Sequence, residues 1–186
     1  MAKKRDFDAL AVTWDNNPGR ISAARDICEA VRQEVPLSDA PQALDYGCGT
    51  GLVTLGLQPD LGSIVAADSS EGMLAVLQDK LAAAQIDNVW TLRLDLEHEE
   101  PPGDRYDLIF SSLTMHHLEH PEVAIARLAQ MLKANGVLAI ADLDEEAGDF
   151  HGDNTGVAHF GFSAERMQEM LGSAGLRQVR TVKATT

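Results

Sequence analysis

A chain of 186 residues, 45% of them hydrophobic, has enough apolar side chain for one buried core and fits a single domain of roughly 100–200 residues. Its net charge of −14 argues against nucleic acid as a partner, because binding a polyanion needs clustered Lys and Arg. Two cysteines, Cys28 and Cys48, are too few for a disulfide framework and lack metal-ligand spacing.

The opening Met1-Ala2-Lys3-Lys4-Arg5 is basic, but acids and polar residues interrupt the stretch after it, so neither an apolar leader nor a membrane span develops. A cytoplasmic protein is expected. Phe7, Leu10, Ala11 and Trp14 recur at helical spacing and predict a short amphipathic segment. Residues 1–36 are expected to form a helical lid on a core domain of residues 37–186. After the turn Asn16-Asn17-Pro18-Gly19, a helix is predicted from about residue 20 to 35, with Ile21, Ala24, Cys28 and Val31 on its apolar stripe. Arg20 stands at its start, where the helix dipole disfavours a cation. Two readings are open for it: an exposed side chain, or a cation facing a ligand's carboxylate.

The first strand, 43–46, runs into Leu44-Asp45-Tyr46-Gly47-Cys48-Gly49-Thr50-Gly51. Glycine at alternate positions permits positive φ and lets a ligand approach the backbone without meeting a Cβ. A dinucleotide fingerprint needs glycine at the first, third and sixth positions; here the sixth is Leu52 and the third glycine falls one place early. Asp45 would repel a phosphate and attract an ammonium or sulfonium group. The turn therefore reads as a site for an aminoacyl nucleoside. Cys48 is read as a small side chain suited to a tight turn, since no base is paired with it locally.

The second strand, 63–67, ends at Asp68, twenty-one residues beyond Gly47. A carboxylate at about that separation accepts ribose hydroxyls in doubly wound sheets. Ser69-Ser70-Glu71 caps a helix to about residue 84, with Met73 in its first turn, where a thioether suits either core or a ligand's face. The third strand, 89–94, closes on Asp95 as the second closes on Asp68. The apolar run 106–111 predicts a central parallel strand and leads into Ser112-Leu113-Thr114-Met115-His116-His117-Leu118. A helix over 121–132 with Asn135-Gly136 as its C-cap precedes a fifth strand, 136–143. Residues 144–161 turn polar and glycine-rich around Phe150, His151, His159 and Phe160, and a loop of that length is expected to be functional, here as a substrate lid. Ser163 caps a last helix ending near residue 175, and 176–182 predicts a sixth strand. The pattern specifies an α/β fold, Rossmann-like and doubly wound, with a mostly parallel sheet and helices on both faces.

The phrase LDYGCGTG resembles the first motif of the class I S-adenosylmethionine (SAM) dependent methyltransferases, of the small-molecule kind that includes the quinone-biosynthesis enzymes. DSSEGML is similar to that family's DxSxxML, LKANGVLAIAD to its phrase after the penultimate helix, and residues 7–15 to its FDxxAxxYD opening, with Trp14 where tyrosine is common. The resemblance implies SAM as cofactor, with S-adenosylhomocysteine as product. It implies Asp45 near the cofactor's amino end and the backbone of Gly47, Cys48, Gly49 and Gly51 around its amino-acid part. Asp68 and Ser69 would meet the ribose, Met73 the adenine face, and Asp95 and Leu96 the adenine edge. The main chain at Ser111 and Ser112 would meet the cofactor, Trp14 would form part of the site's wall, and His116 or His117 would face the substrate. The family pattern adds a seventh, antiparallel strand for which no segment remains after 182.

Methyl transfer from a sulfonium needs orientation first, and a base only when the acceptor carries a proton. His116, His117 and His159 are the candidates, with His151 beside them. Although Asp149 and Asp153 lie near these histidines in sequence, the spacing gives no metal site. The leading reading is a SAM-dependent methyltransferase acting on a small molecule; the alternative is an inactive SAM-binding sensor or partner subunit. A nicotinamide oxidoreductase is disfavoured by Leu52 and Asp45. Phe150, Phe160 and Phe162 suggest an acceptor with a ring or chain.

Overall fold

The computed structural model describes residues 5–37, 41–148, 150 and 152–184. Five parallel strands, β1 (Gln42–Tyr46), β2 (Ser63–Asp68), β3 (Val89–Arg93), β4 (Tyr106–Ser112) and β5 (Leu132–Ala141), form one sheet in the order β3-β2-β1-β4-β5. The chain steps outward from β1 to β3 and then crosses to the other side of β1. The carboxyl ends of β1 and β4 thus flank the point where strand order reverses, which is where open α/β sheets bind ligands.

Side chains alternate faces along each strand. Ala43, Leu108 and Phe110 point into one apolar cluster with Ile27, Leu57 and Leu77. Leu44 and Ile109 point into the other, with Ile125, Leu128, Met131 and Met170. The first cluster is covered by α2 (Pro18–Glu34), α3 (Leu52–Leu57) and α4 (Glu71–Ala84), the second by α5 (Pro121–Gln130) and α6 (Ala164–Ser173). Three of these helices, α2, α4 and α6, start on a side-chain cap. Asn17 caps α2 by accepting from the Gly19 amide at 2.9 Å, Ser70 caps α4 through the Met73 amide at 3.1 Å, and Ser163 caps α6 through the Arg166 amide at 3.2 Å. The stripe of α2 comprises Ala24, Ile27, Cys28 and Val31; Ile21, expected to be buried, is 49% exposed.

The carboxyl-terminal third departs from expectation in two places. Helix α5 closes at Met131, whose amide returns to the Leu128 and Ala129 carbonyls, and β5 begins at the next residue. Asn135 (φ +64°) and Gly136 lie inside β5, where its register against β4 shifts between Tyr106 and Leu108. A Cβ on Gly136 would sit 3.0 Å from the Tyr106 carbonyl oxygen, so this glycine serves a close strand approach rather than a helix cap. The expected sixth strand over 176–182 is not formed. Gln178 takes φ +57°, which breaks extended backbone, and the tail turns instead toward α2, where Arg180 pairs with Glu34 at 3.1 Å and Ala184 packs on the first cluster.

The amino-terminal segment, α1 (Phe7–Leu10) followed by a 3-10 helix over Ala11–Asn16, is tied down by two carboxylates. Asp8 accepts from Ser70 Oγ at 2.5 Å and from the Gly72 amide at 2.8 Å, which places an acid at the positive end of α4. These bonds hold its own pKa below the ordinary aspartate value, with Ser70 the larger cause. Asp15 accepts from Thr50 Oγ1 at 2.6 Å and pairs with Lys80, which also donates to the Thr50 carbonyl at 2.7 Å. Among the described residues, no helix is long and apolar enough to cross a membrane.

Two glycine substitutions separate backbone need from mere occupancy. Gly51, at φ +83°, has no room for a Cβ beside Leu77, whereas Gly172 lies in α6 with nothing within 4 Å of its Cβ direction. In urea unfolding, Gly51→Ala is expected to lose about 2 kcal/mol or more, and Gly172→Ala to gain about 0.5–1 kcal/mol through helix propensity.

Candidate functional site

The glycine turn is held from both sides. Below it, the Gly47 and Cys48 amides both donate to the Ala67 carbonyl at the end of β2, at 2.8 and 3.0 Å. Beside it, Asp68 accepts from the Gly49 amide through one oxygen and from the Ser70 amide through the other, each at 2.8 Å. One carboxylate thereby joins the turn after β1 to the start of α4. The three turn glycines have φ of +74°, +53° and +83°, and they differ in what fills the space of the absent side chain. A Cβ on Gly47 would strike Thr114 and one on Gly51 would strike Leu77, but one on Gly49 would meet nothing closer than Met73 Sδ at 4.0 Å. Gly49 therefore faces open space.

That space is a cavity of about 180 Å³ at the carboxyl ends of β1, β2, β3 and β4. Gly47, Cys48 and Gly49 form its floor, and Asp68, Ser69 and Met73 its wall at the end of β2; Asp95 and Ser112 stand where β3 and β4 end. Phe7, Trp14 and Arg20 close it from the amino-terminal segment and α2, and His117 lies on the far side. Trp14 meets Phe7 edge-on at 5.9 Å. The Arg20 guanidinium stacks 3.7 Å from the Trp14 ring centroid and donates to the Trp14 carbonyl at 3.0 Å, a cation–π contact in a partly desolvated place. Burial lowers the Arg20 pKa, the charge of Arg5 lowers it further, and Asp15 opposes both.

Asp45 lies behind the turn, 1% exposed. Its Oδ2 accepts from Thr54 Oγ1 at 2.5 Å, while its buried Oδ1 has no hydrogen-bond partner among the described residues. Burial pushes its pKa up from 3.8 to about 7, the Thr54 bond opposes this, and the nearby Asp68 charge adds to it. Burial likewise raises Asp68, against the backbone bonds from Ser70, Gly49 and Ser69. At the end of β3, Asp95 accepts from the Glu97 amide at 3.1 Å and meets His98 Nδ1 at 3.1 Å.

Several expected site residues fall outside the cavity. Gly51 starts α3 beneath the turn. Leu96 is 0% exposed in the second cluster and donates its amide to Tyr46 Oη at 3.1 Å. Ser111 donates its hydroxyl to the Tyr46 carbonyl at 2.7 Å and is buried; its neighbour Ser112 takes the cavity position, as strand alternation requires. His116 is 1% exposed and meets Asp142 Oδ1 at 2.7 Å through Nδ1, and its carbonyl accepts from the Ala158 and His159 amides at 2.9 and 3.0 Å. It is a buttress for the loop above it rather than a group facing the cavity. His159 lines a separate hollow between the starts of α5 and α6, 5.2 Å from the Phe162 ring. His151 and Asp149 lie outside the described residues. His117 remains at the cavity, with Nδ1 2.9 Å from the Gly156 carbonyl. That bond requires the proton of the neutral ring at Nδ1 and leaves the ring lone pair at Nε2.

Sequence reasoning missed Asp142. This buried carboxylate accepts from the Thr114, Met115 and Leu143 amides at 3.1, 2.8 and 2.8 Å besides contacting His116. The signal was present: an acid ends the apolar run of β5, as Asp45, Asp68 and Asp95 end theirs. Arg5 and Gly156 also line the cavity and carried no sequence signal.

Residues 43–136 match the model of a methyltransferase domain family. The chain belongs to that family. It is 30% identical over 154 residues to an uncharacterised methyltransferase of Schizosaccharomyces pombe, covering 75% of this chain and 54% of that protein. It is 34% identical over 103 residues to a malonyl-acyl-carrier-protein O-methyltransferase of a Paenibacillus species, covering 53% of this chain and 37% of that one. The chain thus spans about half or less of these curated relatives. Among solved structures, a SAM-dependent methyltransferase of Aquifex aeolicus superposes with a TM-score of 0.72 at 25% identity, covering 90% of this chain and 92% of that chain. The family's cofactor is SAM, and the site fits it on two structural observations: the open face of Gly49, and the unpartnered Asp45 Oδ1 under the turn.

The buried acid makes stability pH-dependent. From 3.8 to about 7 the unfolded Asp45 carboxyl gives up its proton while the folded one keeps it, so folding weakens as pH rises through that window and the loss is complete above it. Asp45→Asn keeps an acceptor for Thr54. In urea unfolding it is expected to exceed wild type at pH 8 by up to about 4 kcal/mol, at about 1.4 kcal/mol per unit, and to match it near pH 4.

Proposed function

We propose that the cavity binds SAM and that the protein transfers a methyl group to a small-molecule acceptor. The observation that supports this reading most is the set of carboxylates, Asp45, Asp68 and Asp95, ending three adjacent strands around a glycine turn whose central member faces open space. In this reading Asp68 and Ser69 take the ribose hydroxyls, Asp95 the adenine amino group, and Met73 the adenine face. The Gly47–Gly49 backbone receives the aminoacyl part, with Asp45 balancing its ammonium from below. The cofactor supplies a methyl group on a sulfonium whose leaving sulfur is neutral. What the protein adds is alignment and the exclusion of water, and alignment of this kind is worth roughly 7–11 kcal/mol.

The acceptor approaches between Phe7, His117 and Leu118, which line the part of the cavity away from β2. His117 is proposed as the base for a protonated acceptor, oriented by its Nδ1 bond to Gly156 and by edge-on packing against Phe7 at 5.0 Å. Residues 5–16 serve as the lid. The enclosed volume and the nearness of the lid favour a metabolite-sized acceptor, or a small acyl group carried on a larger partner, the kind of substrate named for the Paenibacillus relative.

Titration calorimetry tests the cofactor assignment. Wild type is expected to bind SAM and S-adenosylhomocysteine, and Asp68→Ala to lose at least about tenfold in affinity, the order of a charge-assisted hydrogen bond. Folded wild-type protein that bound neither nucleoside would overturn the reading. Where binding holds, a mass-spectrometric screen for methylated metabolites identifies the acceptor, and His117→Ala is expected to lower its turnover by about a hundredfold or more if a proton must be removed.

A further inference from the structure

Among the described residues β3 is an outer strand of the sheet, and its Trp90 is 55% exposed. One of the largest apolar side chains of the protein thus stands in water at a sheet edge. The connection from β3 to β4, residues 94–105, contains no helix. On the face that carries the second cluster, Trp90 and its partly buried neighbours Leu92 and Val65 therefore lack a helix of their own. On the opposite face, Gln78 of α4 donates to Thr91 Oγ1 at 2.7 Å. Its neighbours on that side of the helix, Ala75 and Ala82, are exposed and uncharged. In a chain of net charge −14, the middle of this edge is apolar on one face and uncharged on the other.

The backbone of this edge fixes how a second strand would meet it. The Ile64 amide donates to the Asn88 carbonyl at 2.9 Å and the Leu94 amide to the Asp68 carbonyl at 3.0 Å, so the even-numbered residues of the stretch turn their main-chain groups toward β2. Those of Val89, Thr91 and Arg93 turn outward, and no described strand lies beyond them. A second copy of the chain offers the matching row. Antiparallel pairing about a two-fold axis sets outward-facing residues opposite one another, which permits registers centred on Trp90, Thr91 or Leu92. Charge selects the first. Centred on Trp90, Val89 lies opposite Thr91 of the second copy, and the two Trp90 rings become cross-strand neighbours in a non-hydrogen-bonded pair. In the same register Asp87, exposed just ahead of the strand, comes beside Arg93 of the second copy. The other two centres leave Arg93 opposite Val89 or Thr91 and lose that charge match.

We propose that β3 is a dimerisation strand: two copies pair antiparallel through it about a two-fold axis at Trp90, joining their sheets into one. The paired rings form the apolar centre of the contact, and the two Asp87–Arg93 approaches fix its register. Glu99 already holds the Arg93 guanidinium at 2.5 Å, which places that cation at the edge before a second copy arrives. Because the paired strands run in opposite directions, the two cavities open at opposite ends of the joined sheet. The like net charges of the copies oppose the approach at long range, and salt screens them.

Sedimentation velocity at high salt, over a concentration series reaching about 100 µM, tests the pairing. Wild type is expected to show a monomer–dimer equilibrium. Trp90→Lys removes the apolar centre, and Thr91→Pro independently removes an outward amide while sparing the ladder to β2. Each is expected to weaken association by about tenfold or more, with circular dichroism verifying that the variant is folded. The register is read by mild oxidation of single-cysteine variants, the native Cys28 and Cys48 being buried. Trp90→Cys is expected to link two copies through a disulfide, since a non-hydrogen-bonded cross-strand pair has the spacing one spans, and Thr91→Cys and Leu92→Cys to remain unlinked. Wild type that stays monomeric throughout the series overturns the proposal. So does a dimer that folded Trp90→Lys or Thr91→Pro leaves intact, as pairing through β5 would, or a disulfide that forms at position 91 or 92 and not at 90.

Discussion

The pair of hydrogen bonds accepted by Asp68 organises this molecule. One oxygen holds the Gly49 amide and the other the Ser70 amide, so the turn after β1 and the helix after β2 are fixed relative to each other by a single side chain. The amino-terminal segment docks on that unit, through Asp8 on the first turn of α4 and Asp15 on Lys80 and Thr50. A neutral residue at 68 would loosen the floor and one wall of the cavity together. Burial raises the pKa of this carboxylate, and the Ser70, Gly49 and Ser69 amides oppose the shift.

Acids at strand ends play different parts here according to depth. Asp68 and Asp95 reach the cavity, Asp45 lies under it with one oxygen unmatched, and Asp142 is fully spent on three amides and a histidine. Only an acid with acceptor capacity left over can serve a ligand. Asp142 instead fixes the 114–117 turn, on which Thr114 and His117 are presented to the cavity. The shape of the mouth thus depends on a carboxylate outside the cavity lining.

Much of this was legible from sequence because it rests on local pattern. The strand–turn–helix at 42–57, the acid at 68 and the cap at Ser70 follow from alternation, glycine spacing and capping, all of which act over a few residues. What failed depended on distant partners. Gly136 has the local sequence of a helix cap, but the Tyr106 carbonyl packed against it makes it a glycine of close strand approach. The stretch 176–182 had strand-like composition, but the turn at Gln178 sends it to Glu34. His116 and His117 are indistinguishable as neighbours in sequence; a 3-10 turn capped by Asp142 puts one in the core and the other at the cavity. Arg5 became a cavity residue only because the segment folds back toward Gly156.

With the tail turned toward α2, β5 is the last strand on its side of the sheet among the described residues. A parallel strand in that position turns a row of amide and carbonyl groups outward, a template on which another chain can hydrogen-bond. The first half of β5 is poorly suited to this, being interrupted by the kink at Asn135 and Gly136 and carrying the charge of Lys133. The second half, from Val137 to Ala141, is regular in register and apolar in sequence. A strand added there would extend the sheet sideways, away from β1 and the glycine turn.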